Sequence, residues 1–375
     1  MTNEKYDNFS WVDPLNDASN INLKYAQKVF SVLSSKESVE LSAKCPQPVL
    51  NKDAHRTLNR GSRVFKSGGT SGVSSQVFHD EASIRNAIAG LQQRIGFEPI
   101  SSLCCLPLTH VGGWMQIERA KYTKGSVLFA NYKQLSKLDF SSCLHNRWIS
   151  LVPTQLHFLL QTKQGRINLR CAKGIFTGGS KITDKDRDEL RTNEIPVFPC
   201  YGMSETAGMI TLLDSSEFLN GINGVGECLP SAQIKLDGKQ VTVKTKNLCY
   251  RRNSTFLTAS HWFKTNDEAL YIKGAGYQIT GRTDRTINTG GEKVIPQEIE
   301  DVILSHPDVL QCLVVGQSDD YWVERIVCYL VLRNDSLHTI KDFTRKRLLQ
   351  HQVPKEWKKV CELPLSDMGK VISSD

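Results

Sequence analysis

No stretch of the 375-residue chain approaches the roughly 18 consecutive apolar residues of a membrane-spanning helix, so membrane insertion is not expected. The opening segment, MTNEKYDNFSWVDPLND, lacks the basic and apolar regions of a secretory signal. The eleven cysteines form no CxxC or CxxH spacing, which excludes the usual zinc frameworks. Scattered and odd in number, they predict free thiols and a cytoplasmic location. Helix-turn-helix, zinc-finger and RNP patterns are missing despite a net charge of +8, so nucleic acid is not expected as a partner. Repeats and low-complexity segments are also missing, and no Walker A loop can be drawn.

What is present is an ordinary globular composition, 39% apolar and 23% charged, with chain enough for one large domain or two. The densest basic patches, TRKRLLQ and KEWKKV, read as solvated faces, with a polyanionic cofactor as the sharper alternative. Residues 1 to about 60 carry little pattern, and SRVF (62–65) is short and β-like. In DEASIRNAIAGLQQRIG, Ile84, Ala87, Ile88, Leu91 and Ile95 recur at helical spacing, with Asp80 as cap and Gly96 as stop. SLCCLPL (102–108) reads as a buried strand. RWISLVPTQLHFLLQ reads as a strand, a break at Pro153 and a helix capped by Thr154. Two further strand–loop–helix or strand–loop units follow, at AKGIFTGGS and IPVFPCYGMSETAG. Such repetition predicts α/β architecture with parallel sheets, whose ligands sit at the C-terminal strand ends. The last 90 or so residues alternate helix and strand as a compact α+β unit.

Four constellations carry chemistry. In RVFKSGGTSGVSSQVF, Gly68, Gly69 and Gly72 permit close backbone approach. Ser67, Thr70, Ser71, Ser74 and Ser75 supply hydroxyls, and the backbone amides can make an anion nest. No lysine lies within the glycine-rich part, and a surface linker fits equally. YGMSETAG offers an aromatic, a glycine turn at Gly202 and Glu205 as a magnesium ligand, or else a helix N-terminus capped by Ser204. In FKTND and the following GYQITGRTDRTINTGGEKVIPQEIE, Asp267 and Arg282 could hold a nucleoside, or the segment is a hairpin with charged turns. Near the end, LPLSDMGKVI places Lys370 after a proline turn, where a lone lysine is normally solvated.

Taken in order, these segments resemble the ATP-dependent adenylate-forming superfamily of acyl- and aryl-CoA ligases, luciferases and adenylation domains. The hydroxyl–glycine loop matches Ser67–Ser75, the YG(M)(T/S)E motif Tyr201–Glu205, and the TGD motif Thr265–Asp267 with Asn266 in place of glycine. The GRxDD…PxEIE block matches Gly281–Glu300, and the late lysine motif Pro364–Lys370. LPLTHVGGW and SLVPTQLHFLL look most like the branch that ligates o-succinylbenzoate to CoA. Departures are Ser74 and Ser75 for the loop's Pro-Lys, Gly68 for its second serine, and Arg285 for the hinge's second aspartate.

The resemblance implies a large N-terminal domain of stacked, mostly parallel sheets flanked by helices (1–282, its first part shortened). A small mobile α+β domain (283–375) would follow. It implies ATP, Mg²⁺ and CoA, with an aromatic carboxylate as substrate, and it is compatible with a homodimer. Ser67, Gly69, Thr70, Ser71, Gly72, Gly179, Tyr201, Gly202, Met203, Ser204, Asp267 and Arg282 would bind the nucleotide. Glu205 would hold magnesium and Lys370 would carry the first step. His110, Gly178 and Gly179 would border the acyl pocket, Gly290 and Gly291 the CoA channel, and Asp284 would be the hinge. For His110 a satisfied core role, and for Gly290–Gly291 a plain turn, stay open. Lys66 or Arg63 is the expected substitute for the missing loop lysine. Another carboxylate–CoA ligase, or a weakly catalytic nucleotide-binding protein on the same fold, is the alternative function.

Overall fold

The computed structural model describes residues 39–42, 45–49, 63–67 and 75–363. A seven-stranded sheet forms the middle of the larger unit. Its strands lie in the order Glu227–Cys228, Gly208–Leu212, Val197–Met203, Gly174–Thr177, Trp148–Leu151, Ser102–Cys104, Val127–Phe129. The last five run parallel, and Gly208–Leu212 and Glu227–Cys228 are antiparallel additions at the edge. Trp148–Leu151 and Gly174–Thr177 are buried along their whole length, as parallel strands covered on both faces must be. Ile149, Ile175 and Val197 pack there against Leu156, Leu169 and Leu190 of the covering helices.

The local expectations hold with two corrections. Helix Glu81–Ile95 starts where Asp80 accepts from the Ser83 amide at 2.8 Å and stops at Gly96, φ 101°. The helix after Trp148–Leu151 spans Pro153–Leu160, with Val152 at the cap position and Pro153 in the first turn. Thr154 is therefore inside the helix, because proline's fixed φ suits the first helical position. The run 102–108 pairs only over Ser102–Cys104, since Pro107 has no N–H to extend a ladder.

The two other sheets of the larger unit are not of the parallel kind. One orders Thr255–Phe256, Arg251–Arg252, Ser75–His79, Arg63–Ser67, Val39–Ser42 and Cys45–Val49, with a single parallel pair. The other, Ala232–Asp237, Gln240–Thr245, Phe263–Ile272 and Gly276–Arg282, is antiparallel throughout. Short hairpin links such as Gly238, φ 60°, leave no room for crossover helices. Mostly parallel pairing is thus confined to the middle sheet, while the α/β architecture is as expected.

A 3₁₀ turn, Thr283–Arg285, leads into the α+β unit. Strands Ile287–Thr289, Glu292–Val294, Val309–Asp319, Val323–Leu332 and Glu356–Lys359 form its sheet, packed against helices Pro296–Leu304 and Leu337–Arg345. Ile299, Ile303, Val314, Ile326, Leu330 and Ile340 make its separate core. Lys181 of the larger unit meets Asp301 of helix Pro296–Leu304 in an ion pair across the two units.

The ten cysteines whose side chains are described are free thiols. Among the described residues, no helix is long and apolar enough to cross a membrane.

Candidate active site

The site lies at the C-terminal ends of the middle sheet, where parallel strands leave their carbonyl ends open. Gly178 and Gly179 follow strand Gly174–Thr177, and Gly179 has φ 89°. A Cβ at Gly178 would stand 2.8 Å from the Cys200 carbonyl oxygen, so the adjoining strand end requires glycine there.

Tyr201, Gly202 and Met203 end the next strand, Val197–Met203, and Ser204–Thr206 is a 3₁₀ turn. No helix follows. Ala207 takes the left-handed conformation, φ 52°, and the chain returns antiparallel as Gly208–Leu212. Gly202 is opposite Met209, not in a turn, and a Cβ on it would reach within 2.1 Å of the Gly208 carbonyl oxygen. These two results overturn the reading of Ser204 as a helix cap and of Gly202 as a turn residue. Glu205 is nearly buried, and its Oε1 lies 3.2 Å from Arg252 Nε.

Asp267 does not follow a turn. It lies within strand Phe263–Ile272 directly opposite Arg282 of strand Gly276–Arg282. Tyr201 Oη donates to Asp267 Oδ2 at 2.7 Å, and Arg282 Nη1 donates to Oδ1 at 2.9 Å. Thr265 Oγ1 accepts from the Asp267 amide at 3.0 Å and fixes the backbone beneath it. A carboxylate offers about four lone-pair sites, so the bridged group can still accept two hydroxyls. Burial, with the Asp267 charge beside it, holds the Tyr201 phenol well above its ordinary pKa, so it stays a donor.

Arg282 also donates through Nε and Nη2 to Asp284, at 2.9 and 2.7 Å. Asn266 Nδ2 donates to the same carboxylate at 3.0 Å. Burial opposes the Asp284 charge, but the Arg282 and Asn266 bonds outweigh it and depress its pKa. Asn266, where the resembling motif has glycine, is thereby tied to the turn at Asp284. Arg285, the other departure, donates to Glu300 Oε1 at 2.7 Å and serves the smaller unit.

Gly290 and Gly291, φ 60° and 87°, close the hairpin between Ile287–Thr289 and Glu292–Val294. Nothing lies within 4 Å of a Cβ built on Gly291, whereas Gly290 faces the Trp322 ring at 3.2 Å. His110 is half-buried at the N-cap position of helix Val111–Thr123. Ser67 is opposite Ser75 where two strands meet, with its side chain outside the described residues. Gly69, Thr70, Ser71, Gly72 and Lys370 lie outside the described residues, as does the Lys66 side chain. Arg63 is removed as the substitute cation, because its Nε donates to the buried Glu118 at 2.9 Å.

Three side chains escaped the sequence reading. His79 is fully buried, and its Nε2 meets the Ser204 carbonyl oxygen at 2.7 Å. A carbonyl only accepts, so Nε2 carries the proton and Nδ1 faces Ser83 Oγ at 3.0 Å. Burial lowers the His79 pKa to about 4, and the imidazole stays neutral while it holds the Glu205 turn.

Arg119, on helix Val111–Thr123, is 5% exposed, and its guanidinium lies 5.5 Å from the Phe176 ring centre. Its Nη2 is the nearest atom to a Cβ built on Gly208, at 3.8 Å. Burial lowers its pKa to about 10, with the Cys200 and Cys104 thiols the only groups acting to raise it. It remains a cation with no carboxylate partner among the described residues. A Glu-Arg pair inside the otherwise helical GGWMQIERAKY was the available signal. Arg252, the third, reaches Glu205 from another sheet.

Among the described residues no group of three or more carboxylate, imidazole or thiol side chains could hold a metal alone. Glu205 suits an ion that arrives with phosphate oxygens, because magnesium needs only one or two protein carboxylates there. A strand-end carboxylate of this kind and a Tyr–Asp–Arg bridge with free acceptor sites make a candidate nucleotide-binding site. The chain belongs to the AMP-binding enzyme family: that family's pattern matches residues 63–257, just over half of the chain, and the AMP-binding enzyme C-terminal domain matches residues 298–370.

Among curated relatives, it is 29% identical to the 2-succinylbenzoate–CoA ligase of Bacillus velezensis, over 86% of this chain and 70% of that protein. The enzyme of the same name from Listeria monocytogenes is 27% identical over 92% and 75%, and that of Escherichia coli 29% over 68% and 54%. The chain is thus shorter than these relatives. In fold it is similar to o-succinylbenzoate CoA synthetase of Bacillus subtilis in complex with the acyl-adenylate, with TM-score 0.71 and 24% identity, covering 83% of this chain and 67% of that one. The same enzyme in complex with ATP and magnesium ion gives TM-score 0.70 and 23% identity, over 83% and 68%.

Proposed function

We propose that this chain is an AMP-forming acid–thiol ligase that joins o-succinylbenzoate to coenzyme A. The acid's carboxylate attacks the α-phosphate of ATP, and pyrophosphate leaves. The CoA thiol then attacks the acyl-adenylate, and AMP leaves. The observation that carries the choice of acid is Arg119, a buried cation without a carboxylate partner among the described residues, beside Phe176 and Gly208. o-Succinylbenzoate has a second carboxylate to meet such a cation. The names of the curated relatives support the same acid.

In this reading Asp267 takes the ribose hydroxyls between Tyr201 and Arg282. Glu205 would hold magnesium, which when bound neutralises charge on the phosphates. Lys370 stabilises the first transition state as a point charge, a contact whose loss typically costs about 10²–10³ in rate. His110, Gly178 and Gly179 border the aryl group. The smaller unit turns at Asp284 and brings Gly290–Gly291 to the thiol path. The cytoplasm, where cysteines stay reduced, is its place of action.

The test is thioester formation from o-succinylbenzoate, ATP and CoA, with pyrophosphate release followed across a panel of acids. Turnover of another acid with none of o-succinylbenzoate overturns the substrate. Absence of adenylate with every acid overturns the ligase.

A further inference from the structure

The glycine–hydroxyl segment between Ser67 and Ser75 contains no lysine, yet a bound triphosphate carries several negative charges that need a cation. Arg63 is not available, being buried on Glu118. The described strands on either side of the segment in sequence lead to another cation. Strand Arg63–Ser67 pairs with Ser75–His79, which in turn pairs with Arg251–Arg252. The outer strand is fixed to the start of Ser75–His79. The Gln76 amide donates to Asn253 Oδ1 at 2.7 Å, the Asn253 amide donates to the Gln76 carbonyl oxygen at 2.7 Å, and Asn253 Nδ2 reaches Ser75 Oγ at 3.4 Å.

The two arginines of that strand point to opposite faces, as neighbours on a strand do. Arg251 lies over the Phe78 ring, 3.7 Å from its centre, and is used in packing. Arg252 takes the other face and comes within 3.2 Å of Glu205 Oε1. Its Nε is buried without a hydrogen-bond partner among the described residues, while the side chain as a whole is 41% exposed. A guanidinium held by one edge near a carboxylate, with the rest accessible, is set to accept a second anion. Glu205 is itself held from behind, since its carbonyl oxygen accepts from the Cys249 amide at 2.7 Å and the Ser204 carbonyl is held by His79.

We propose that Arg252 supplies the positive charge that the glycine–hydroxyl segment lacks, contacting the β- and γ-phosphates of ATP beside Glu205. The cation thus comes from a strand some 180 residues later in the chain, placed by sheet pairing and not by the segment itself. This rests on the reading of the chain as an ATP-dependent enzyme, and it is independent of which acid is joined.

The experiment measures ATP and AMP affinity by calorimetry for the wild type, Arg252→Gln and Arg252→Lys. AMP has no β- or γ-phosphate and so controls for a disturbed fold. Arg252→Gln is expected to weaken ATP about 10–100-fold, the size of one or two charge-assisted hydrogen bonds, and to leave AMP within about twofold. Arg252→Lys, which keeps the charge, is expected to recover most of that loss. Equal losses for ATP and AMP in Arg252→Gln, or an unchanged ATP affinity, overturn the proposal. So does a lysine variant as weak as the glutamine one. If the wild type binds AMP but not ATP, the proposal fails and the AMP-binding family site stands. If it binds neither, the ATP-dependent reading falls with it.

Discussion

Tyr201 and Asp267, 66 residues apart, share a buried 2.7 Å hydrogen bond that joins the end of the middle sheet to the antiparallel sheet beside it. Arg282 completes the bridge from the opposite strand. Asp267→Asn would turn an acceptor-only group into one that presents an N–H to two donors. The expected result is a fall of about 10² in kcat/KM for ATP, and Tyr201→Phe should cost roughly 3–10-fold. Because the residues touch, the double variant should lose less than the product of the two, which steady-state kinetics on all four proteins will show.

Arg119 should discriminate between acids. Arg119→Leu is expected to raise KM for o-succinylbenzoate about 10–100-fold, as loss of a charge-assisted contact does. An aromatic acid without the second carboxylate should change little. Equal effects on both acids would mean that Arg119 only packs against Phe176.

His79 gives the fold a defined acid limit. Its folded pKa, about 4, lies below the ordinary 6.5, so the unfolded chain binds the extra proton first. Stability from this group is complete above pH 6.5 and is lost as pH falls from there towards 4, by up to about 3 kcal/mol. His79→Gln keeps an N–H for the Ser204 carbonyl and does not titrate. Denaturant midpoints between pH 7 and 4 should therefore fall less steeply in His79→Gln, and parallel slopes would exclude His79 as the source.

Glu300 anchors the smaller unit. Its Oε1 accepts from Arg285 Nη2 at 2.7 Å and from the Val314 amide at 2.9 Å. Glu300→Ala leaves a largely buried arginine and a buried amide without that partner, and should destabilise the fold by about 2–3 kcal/mol. Arg285→Asp, which installs the aspartate of the resembling motif, should be at least as destabilising. Urea melts will measure both.

What the sequence made legible was local. Helix Glu81–Ile95 follows from the spacing of Ile84, Ile88 and Leu91 and from the Asp80 cap, which need no distant partner. The strand-end glycines were legible because backbone approach demands glycine and nothing else. Hidden from it were relations set by sheet order. The strand that carries Arg252 is assigned to Ser75–His79 only by tertiary pairing. The sequence around Arg119 does not by itself tell that packing encloses it. Gly202 was misread for the same reason: a turn and a tight antiparallel crossing both call for glycine, and only the Met209 pairing separates them.

Arg282 grips Asp267 with one edge and Asp284 with the other. In the proposed reading the first carboxylate takes the ribose, and the second lies in the turn that leads into the smaller unit. A turn at Asp284 large enough to carry it away obliges this one guanidinium to release a partner. Nucleotide affinity and the orientation of the smaller unit are then two readings of a single equilibrium. By reciprocity, whatever factor one orientation adds to nucleotide binding, bound nucleotide must add to that orientation.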